Sequence, residues 1–486
     1  MHQRVLVIGG GITGLAAAHH LLSEHPEYAV TLVERDTRLG GKILTVEQDG
    51  YVIEGGPDSM LGVKPRSVGL SREIGLGDRL ISPSEANRRS FVLRRGKLHR
   101  IPEGLTGLVP TKLGPIARSG LISPRGKARM LGDYLRRPAP GVADESLASF
   151  MTRRLGDEVY TNLIEPLMAG IYAGDGRALS LEATFPQLRE AERQHGGLVK
   201  GVLAQRRKAE AGSGGDGAKR PGFVTYRTGL RELVDTLADR IIAQGGEIRT
   251  GVAVSLLERC QHGYRVTIDR DDGPETMRVD GIILATQAWA AAPLLEPLDH
   301  YASAALDHIP HVSNAIVALG FDDPAVADRL NGFGYVVPRT EHRPVMAMTW
   351  LSSKWAGRAP EGKALIRAFV GRAGQQEILQ CPDDTLVDVV RKELTEVLGI
   401  TAKPEIARIF HWDGGMPQYT MGHRERVAAL ETALGGISGV AVAGNMFRGV
   451  GLPDCIASGE SAADKVVGDL AGIEAFSAAS AGHVPA

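Results

Sequence analysis

Cysteine is scarce in this sequence: Cys260, Cys381 and Cys455 are the only three in 486 residues, widely separated and without a Cys-x-x-Cys pair. That excludes a disulfide scaffold, a zinc site and a dithiol redox pair, and leaves the reduced thiols expected of a cytoplasmic protein. An excess of one charge is also lacking. Lysine and arginine number 56 against 57 acidic residues, a balance that offers no electrostatic footprint for nucleic acid. No apolar run reaches the ~20 residues a membrane-spanning helix needs. Met1-His2-Gln3-Arg4 runs directly into a predicted strand, with no signal-peptide pattern before it. The 14 histidines are scattered without ligand spacing, so no metal site and no catalytic histidine is read from them.

Glycine, by contrast, is abundant, with 61 residues against a typical share of about 7%. Glycine-rich globular chains bring backbone close to a cofactor or pack strands tightly on helices. The length exceeds what one hydrophobic core usually serves and calls for two or three regions.

Val5-Leu6-Val7-Ile8 reads as a buried parallel strand, Leu15 to Leu22 as a helix and Val30 to Val33 as a second strand, together one βαβ unit. Asp144-Glu145-Ser146-Leu147 looks like a helix start, with helical periodicity continuing towards Leu167. Lys208 to Pro221 has the composition of a loop or linker. Leu230 to Ala243 is an amphipathic helix. Strands are expected at Glu247–Arg249, Tyr264–Ile268 and Gly281–Leu284, with a turn at Asp271-Asp272-Gly273. Tyr335–Val337, Pro344–Trp350 and Ala364–Val370 read as a mainly β region. Val440–Ala443 reads as a strand, followed by a glycine-rich loop and a helix near Ile456 to Leu470. Ser477 to Ala486 should fray.

Gly9-Gly10-Gly11-Ile12-Thr13-Gly14 contains G-x-G-x-x-G. Alone the pattern is weak. Here it follows a strand, opens a helix, and has Glu34 about 20 residues on, the context that makes it a dinucleotide fingerprint. Gly9 allows the tight turn, Gly11 the close approach of a pyrophosphate, and Gly14 close helix–strand packing. The helix opening at Ile12 and Thr13 presents N–H groups and a positive dipole end to phosphates. Glu34, followed by Arg35, is placed to accept hydrogen bonds from a ribose. Paired glycines recur in Arg38-Leu39-Gly40-Gly41-Lys42 and in Glu54-Gly55-Gly56-Pro57-Asp58-Ser59. They suit a cofactor whose long axis continues past the pyrophosphate to a ring system.

The run from Val5 through Gly41, with Gly56-Pro57-Asp58-Ser59, resembles the FAD-binding start of the flavin amine oxidase superfamily. Further motifs resemble the protoporphyrinogen and coproporphyrinogen oxidases of haem synthesis. These are Glu165 to Asp175 (EPLMAGIYAGD), Leu179-Ser180-Leu181, Thr184-Phe185-Pro186, Trp412 with Met416-Pro417-Gln418-Tyr419, and Ala443 to Ile456 (AGNMFRGVGLPDCI). The resemblance implies non-covalent FAD, with Gly9, Gly11 and Gly14 at the pyrophosphate and Glu34 on the ribose. It implies Lys42 and Gly56 to Ser59 by the flavin, the Val254 backbone at the adenine, and Trp412 with Val450-Gly451-Leu452 against the ring system. A glycine loop opening a C-terminal helix can aim N–H groups at the flavin's pyrimidine edge. Gly170 matches a family glycine whose carbonyl orients the substrate; the alternative is a helix-terminating glycine. Cys455 could carry a covalent flavin or be a small buried residue at a helix start; the resembled enzymes favour the second.

The implied fold is an α/β Rossmann-like FAD-binding domain with a mixed α+β substrate domain and a helical region. Expected boundaries are 1–85, 222–300 and 405–486 for the first, 86–101, 207–221 and 301–404 for the second, and 102–206 for the third. The implied reaction is oxidation of a porphyrinogen to a porphyrin, coproporphyrinogen III before protoporphyrinogen IX, with oxygen as acceptor and a ferrochelatase-type neighbour in the pathway. The basic cluster Arg88, Arg89, Arg94, Arg95, Lys97, His99 and Arg100 could read substrate propionates through Arg88 and Arg89, or could be a solvated hairpin turning at Arg94 to Lys97. Ser90 stands where eukaryotic-type members of the family carry an arginine, which leans the reading towards the tetrapropionate substrate. Leu105, Leu108, Val109, Leu113, Ile116, Leu121 and Ile122, among Lys112, Arg118 and Arg125, could form a substrate mouth, a peripheral lipid contact or ordinary core. Two rivals stay open: an amine- or carotenoid-type flavin oxidoreductase, against which the 5% aromatic content counts, and a non-enzymatic flavoprotein.

Overall fold

The computed structural model describes residues 2–106, 108–138, 144–212, 222–270 and 273–481. Its N-terminal unit forms where the apolar runs predict it: strand Arg4–Ile8, helix Ile12–Glu24, strand Ala29–Glu34. Val5, Leu6 and Val7 are all buried, so this strand needs cover on both faces, as parallel strands do. The sheet runs Glu247–Thr250, Ala29–Glu34, Arg4–Ile8, Gly281–Leu284, Val440–Val442, and every pairing is parallel. In chain order these are the third, second, first, fourth and fifth strands. The order reverses between Arg4–Ile8 and Gly281–Leu284, so the turns leaving their carboxyl ends diverge and open a crevice, the usual ligand position in such sheets.

Helices Ile12–Glu24, Arg231–Ala243 and Leu452–Ala481 cover one face. A three-stranded meander, Ala253–Arg259, Tyr264–Asp269 and Glu275–Val279, covers the other with helices Ala288–Leu295 and His300–Asp307.

The second sheet has seven strands, in the order Ile406–Pro417, His311–Phe321, Ala364–Val370, Val345–Trp350, Gly334–Val336, Ser90–Arg94, Lys97–Arg100. All its pairs are antiparallel except Gly334–Val336 with Ser90–Arg94. Its two longest strands, His311–Phe321 and Ile406–Pro417, carry no sequence alternation. The first is buried without interruption from Ala315 to Phe321, which removes the period of two. The second ends in glycines and proline. Their pairing corrects the expected boundary at 405: residues 406–417 belong to the substrate sheet.

Three helical expectations also change, while the expected start near residue 147 is met. Within the expected start at Asp144 to Leu147, Ser146 caps helix Leu147–Leu155, its Oγ accepting from Ser149 N at 3.1 Å. The helix stops at Gly156 (φ +98°), and the chain continues through Asp157–Val159 and a π-turn, Tyr160–Ile164, into helix Glu165–Tyr172. Pro166, lacking an N–H and crowding the carbonyl four residues earlier, accounts for the widened turn before it. Residues 208–212, expected in a loop, end helix Leu198–Gly212, where Lys, Ala and Glu are strong helix formers. Residues 477–481, expected to fray, continue helix Leu452–Ala481. The rest of the expected linker (213–221), Asp271-Asp272 of the expected turn and residues 482–486 lie outside the described residues.

Leu108, Val109, Ile116, Leu121 and Ile122 are buried in the core of the helical region. They pack inward and present no lipid face. Among the described residues no helix is long and apolar enough to cross a membrane.

Candidate functional site

A cavity of about 850 Å³ begins at the crevice of the parallel sheet and runs to the second sheet and the end of helix Glu165–Tyr172. At its outer end stands Glu34, whose carboxylate is fixed from both sides: Oε2 accepts from Gly10 N at 2.6 Å and Oε1 from Asp36 N at 2.8 Å. Arg35 lines this end, as does Val254, which sits at a register shift between the strands Ala253–Arg259 and Tyr264–Asp269.

Midway, Gly11, Ile12 and Thr13 line the wall. No side chain caps this helix, so its first N–H groups are available to an anion. Gly11 has open space where a Cβ would stand. Gly14 faces away from the cavity, contrary to the role the resemblance implied. A Cβ there would be driven into the carbonyl oxygen of Gly9, so Gly14 serves helix–strand contact.

Further in, Lys42 and the turn Gly56-Pro57-Asp58-Ser59 line one side and Val450-Gly451-Leu452 the other. Burial pushes the Lys42 ammonium down to about 8, with the nearby Cys455 opposing. Burial pushes the Cys455 thiol up to about 11. Trp412 Nε1 donates to Gly55 O at 2.8 Å and so ties the edge strand of the substrate sheet to the glycine turn. The motif residue Tyr419 clamps the loop before Gly451: its hydroxyl donates to Asn445 O at 2.5 Å and accepts from Gly449 N at 2.9 Å. His423 stacks on it at 4.2 Å. Burial holds the His423 imidazole down to about 4, so it is the neutral ring that fills this support.

Gly170 lines the inner end, with nothing within 4 Å of an added Cβ. It does not terminate its helix: the left-handed residue is Ala173, φ +50°, after Tyr172. Helix and sheet therefore face each other across a gap that a flat ring could enter.

Arg88 and Arg89 are not on this cavity. They line a separate surface depression with Glu85, Arg100 and Glu103. Arg88 is exposed, and the Arg89 carbonyl accepts from Phe333 N at 2.7 Å. The hairpin turns at Arg95-Gly96, both at positive φ. Arg94 is a strut, donating to Gly120 O at 2.9 Å and pairing with Glu158 at 3.2 Å. Arg88 and Arg89 thus lie off the cavity, which gives no geometric support to a propionate role for them, and Arg94 is held by the protein. Arg367 and Phe369, not among the residues expected at the site, line the cavity from strand Ala364–Val370. The signal was present: one arginine inside an otherwise apolar strand.

An extended dinucleotide fits these residues. A fixed carboxylate stands at one end, a bare glycine turn at an uncapped helix in the middle, and an aromatic and glycine-lined slot beyond. Residues 12–467 match the family model for flavin containing amine oxidoreductase. The chain is 39% identical over 467 residues to a coproporphyrinogen III oxidase of Bacillus subtilis (strain 168), covering 95% of this chain and 97% of that protein. It is 30% identical to a chloroplastic protoporphyrinogen oxidase of Nicotiana tabacum, covering 96% and 85%. Among solved structures, an Exiguobacterium sp. 255-15 protein assigned to the protoporphyrinogen oxidases superposes with a TM-score of 0.83 at 32% identity, covering 96% of this chain and 99% of that one. This chain belongs to the flavin containing amine oxidoreductase family.

Proposed function

We propose that this protein oxidises coproporphyrinogen III to coproporphyrin III with non-covalently bound FAD and oxygen as the electron acceptor. One observation carries the substrate choice: three relatives named coproporphyrinogen III oxidase match at 34–39% identity over nearly the whole chain, above plant protoporphyrinogen oxidases at 29–31% and a Mycobacterium bovis coproporphyrinogen III oxidase at 30%. When bound, the flavin supplies two-electron acceptance from a C–H bond, and its reoxidation uses oxygen.

In this reading Glu34 holds the ribose, the N–H groups at Gly11 to Thr13 hold the pyrophosphate, and Trp412 and Val450 to Leu452 position the ring system. Gly170 leaves room for a flat macrocycle. Asp58 is a poor base. Burial alone would raise its carboxyl, but Lys354 and Arg367 hold it well below the usual range. Lys354 Nζ at 2.8 Å and Trp355 Nε1 at 3.1 Å already occupy Oδ2. In this reading Asp58 does not take the protons leaving the pyrroles, and they go to water.

The test is anaerobic addition of coproporphyrinogen III to the flavin-loaded protein, which should bleach the flavin absorbance faster than protoporphyrinogen IX does. Bleaching by neither would refute the reaction class, and a preference for protoporphyrinogen would refute the substrate. Acid precipitation of the same sample should leave all flavin in solution, since Cys455 is held as a thiol; flavin on the pellet would contradict non-covalent binding.

Lys42 adds a pH dependence. With its ammonium at about 8 before the cofactor binds, the negative groups of FAD should raise that value, so binding takes up a proton. Affinity is then greatest below pH 8 and falls as pH rises through 8, by up to tenfold per pH unit until the raised value is passed. Titrations of apoprotein between pH 7 and 9.5 should show this slope, and Lys42→Met should flatten it. A flat profile in the unmodified protein would remove Lys42 from the cofactor site.

A further inference from the structure

The inner end of the cavity holds a cation whose role the site described above leaves unexplained. Arg367 is 1% exposed, yet it lines the cavity, and neither its Nε nor its Nη1 has a hydrogen-bond partner. A buried guanidinium with two unpartnered nitrogens is costly, because the desolvation of a charged donor is only partly compensated. Such a group calls for an explanation, and Arg367 differs from other buried arginines with unpartnered nitrogens, such as Arg189 and Arg358, in lining the cavity.

The neighbouring charges do not complete it. Asp58 accepts from Lys354, Trp355 and Ser59 (Oγ to Oδ1, 2.9 Å). Glu54 accepts from Thr45 Oγ1 at 2.7 Å and Leu230 N at 2.9 Å and lies 3.4 Å from Arg358 Nη2. This buried group therefore sets two carboxylates, Asp58 and Glu54, against three cations, Lys354, Arg358 and Arg367. One positive charge is left over, and of the three cations only Arg367 lines the cavity. Its guanidinium lies over the Phe369 ring, Cζ 5.1 Å from the centroid, which holds the planar fork in place. Phe369 pairs across the sheet with Ile316, and both line the cavity. The anion site is thus continuous with an apolar wall that a ring system can lie against.

We infer that Arg367 is the carboxylate anchor of the substrate cavity, receiving one propionate of the tetrapyrrole on the free edge of its guanidinium. The inference rests on the porphyrinogen reading for the identity of the ligand, and it replaces Arg88 and Arg89 as the group that recognises the acid. It also sets orientation: a macrocycle tethered at Arg367 lies along Phe369 and Ile316 with its far edge towards Gly170.

The test measures equilibrium binding of coproporphyrin III and of its tetramethyl ester to the flavin-loaded protein. For Arg367→Met, coproporphyrin III should bind about 10- to 100-fold more weakly, the range of a charge-assisted hydrogen bond, while ester binding changes less than about threefold. Arg367→Lys keeps the charge but not the fork and should fall between. It also guards against misfolding, with flavin content and thermal midpoint recorded for both variants. Equal weakening for acid and ester, or an acid affinity unchanged by either substitution, overturns the anchor. So does wild-type protein that does not distinguish acid from ester. Failure of the porphyrinogen reading shows separately, as absence of coproporphyrinogen III turnover by the wild-type protein.

Discussion

Gly14→Ala should cost the protein its stability and Gly11→Ala its flavin. At Gly14 an added methyl meets the carbonyl oxygen of Gly9, a backbone atom that cannot swing aside, with the Ala285 side chain behind it. Overpacking of this kind costs about 1–3 kcal/mol or more, and it falls on the folded protein whether or not flavin is present. The apoprotein should melt several degrees lower. At Gly11 the backbone is already in a region open to alanine, φ −71° and ψ 174°, and the methyl would enter the empty crevice. The apoprotein should keep its stability to within about 1 kcal/mol, the scale of a changed helix cap. FAD should bind roughly 10- to 100-fold more weakly, because the methyl occupies the position of the pyrophosphate. Thermal melts of the two apoproteins and FAD titrations decide the matter. A Gly11→Ala apoprotein that melts as low as Gly14→Ala, or that binds FAD normally, would show that Gly11 is structural.

The second large effect lies in the helical region. Asp133→Ala should destabilise the protein by about 3–5 kcal/mol, the usual cost of removing one partner from a buried ion pair. Asp133 and Arg154 are both fully buried and 2.5 Å apart, and Asp133 also accepts from Val199 N at 2.9 Å. Arg154 reaches Glu192 at 3.4 Å, which pairs with Arg189 at 2.9 Å, and Arg189 pairs with Glu145 at 2.7 Å. This chain joins helices Leu147–Leu155 and Pro186–His195 to the start of Leu198–Gly212. Removing Asp133 leaves Arg154 charged and short of a partner, together with an orphaned Val199 N–H. The double variant Asp133→Ala/Arg154→Met should recover part of the loss, since it removes the stranded charge as well. Urea denaturation of the two variants measures this. A single-variant loss below 1 kcal/mol, or a double variant less stable than the single, would mean that the network is redundant.

The parts of the cofactor site that could be read in advance are local. Strand, glycine turn and helix lie within residues 4–24, and Glu34 ends the next strand. The Gly56 to Ser59 turn and the Val450 to Leu452 loop are likewise short segments whose backbone conformation their own residues decide, and both line the cavity. The flanking rules failed where they depended on composition: residues 208–212 were polar enough for a linker yet lie in a helix. The crowding of Arg88, Arg89 and their neighbours showed where charge is dense, but density along the chain says nothing about which way a side chain points.

The sequence by itself determined the dinucleotide fold, the position of its glycine turn and the family's motifs, because turns, caps and parallel strands answer to neighbours a few residues away. Tertiary structure alone decided that Arg367 reaches the cavity. Arg367 faces it because its strand pairs with His311–Phe321 on one side and Val345–Trp350 on the other. A shift of one residue in either register would turn that side chain to the opposite face of the sheet. That register is set by packing between segments about 50 and 20 residues apart in the chain, at a range where local sequence carries no signal.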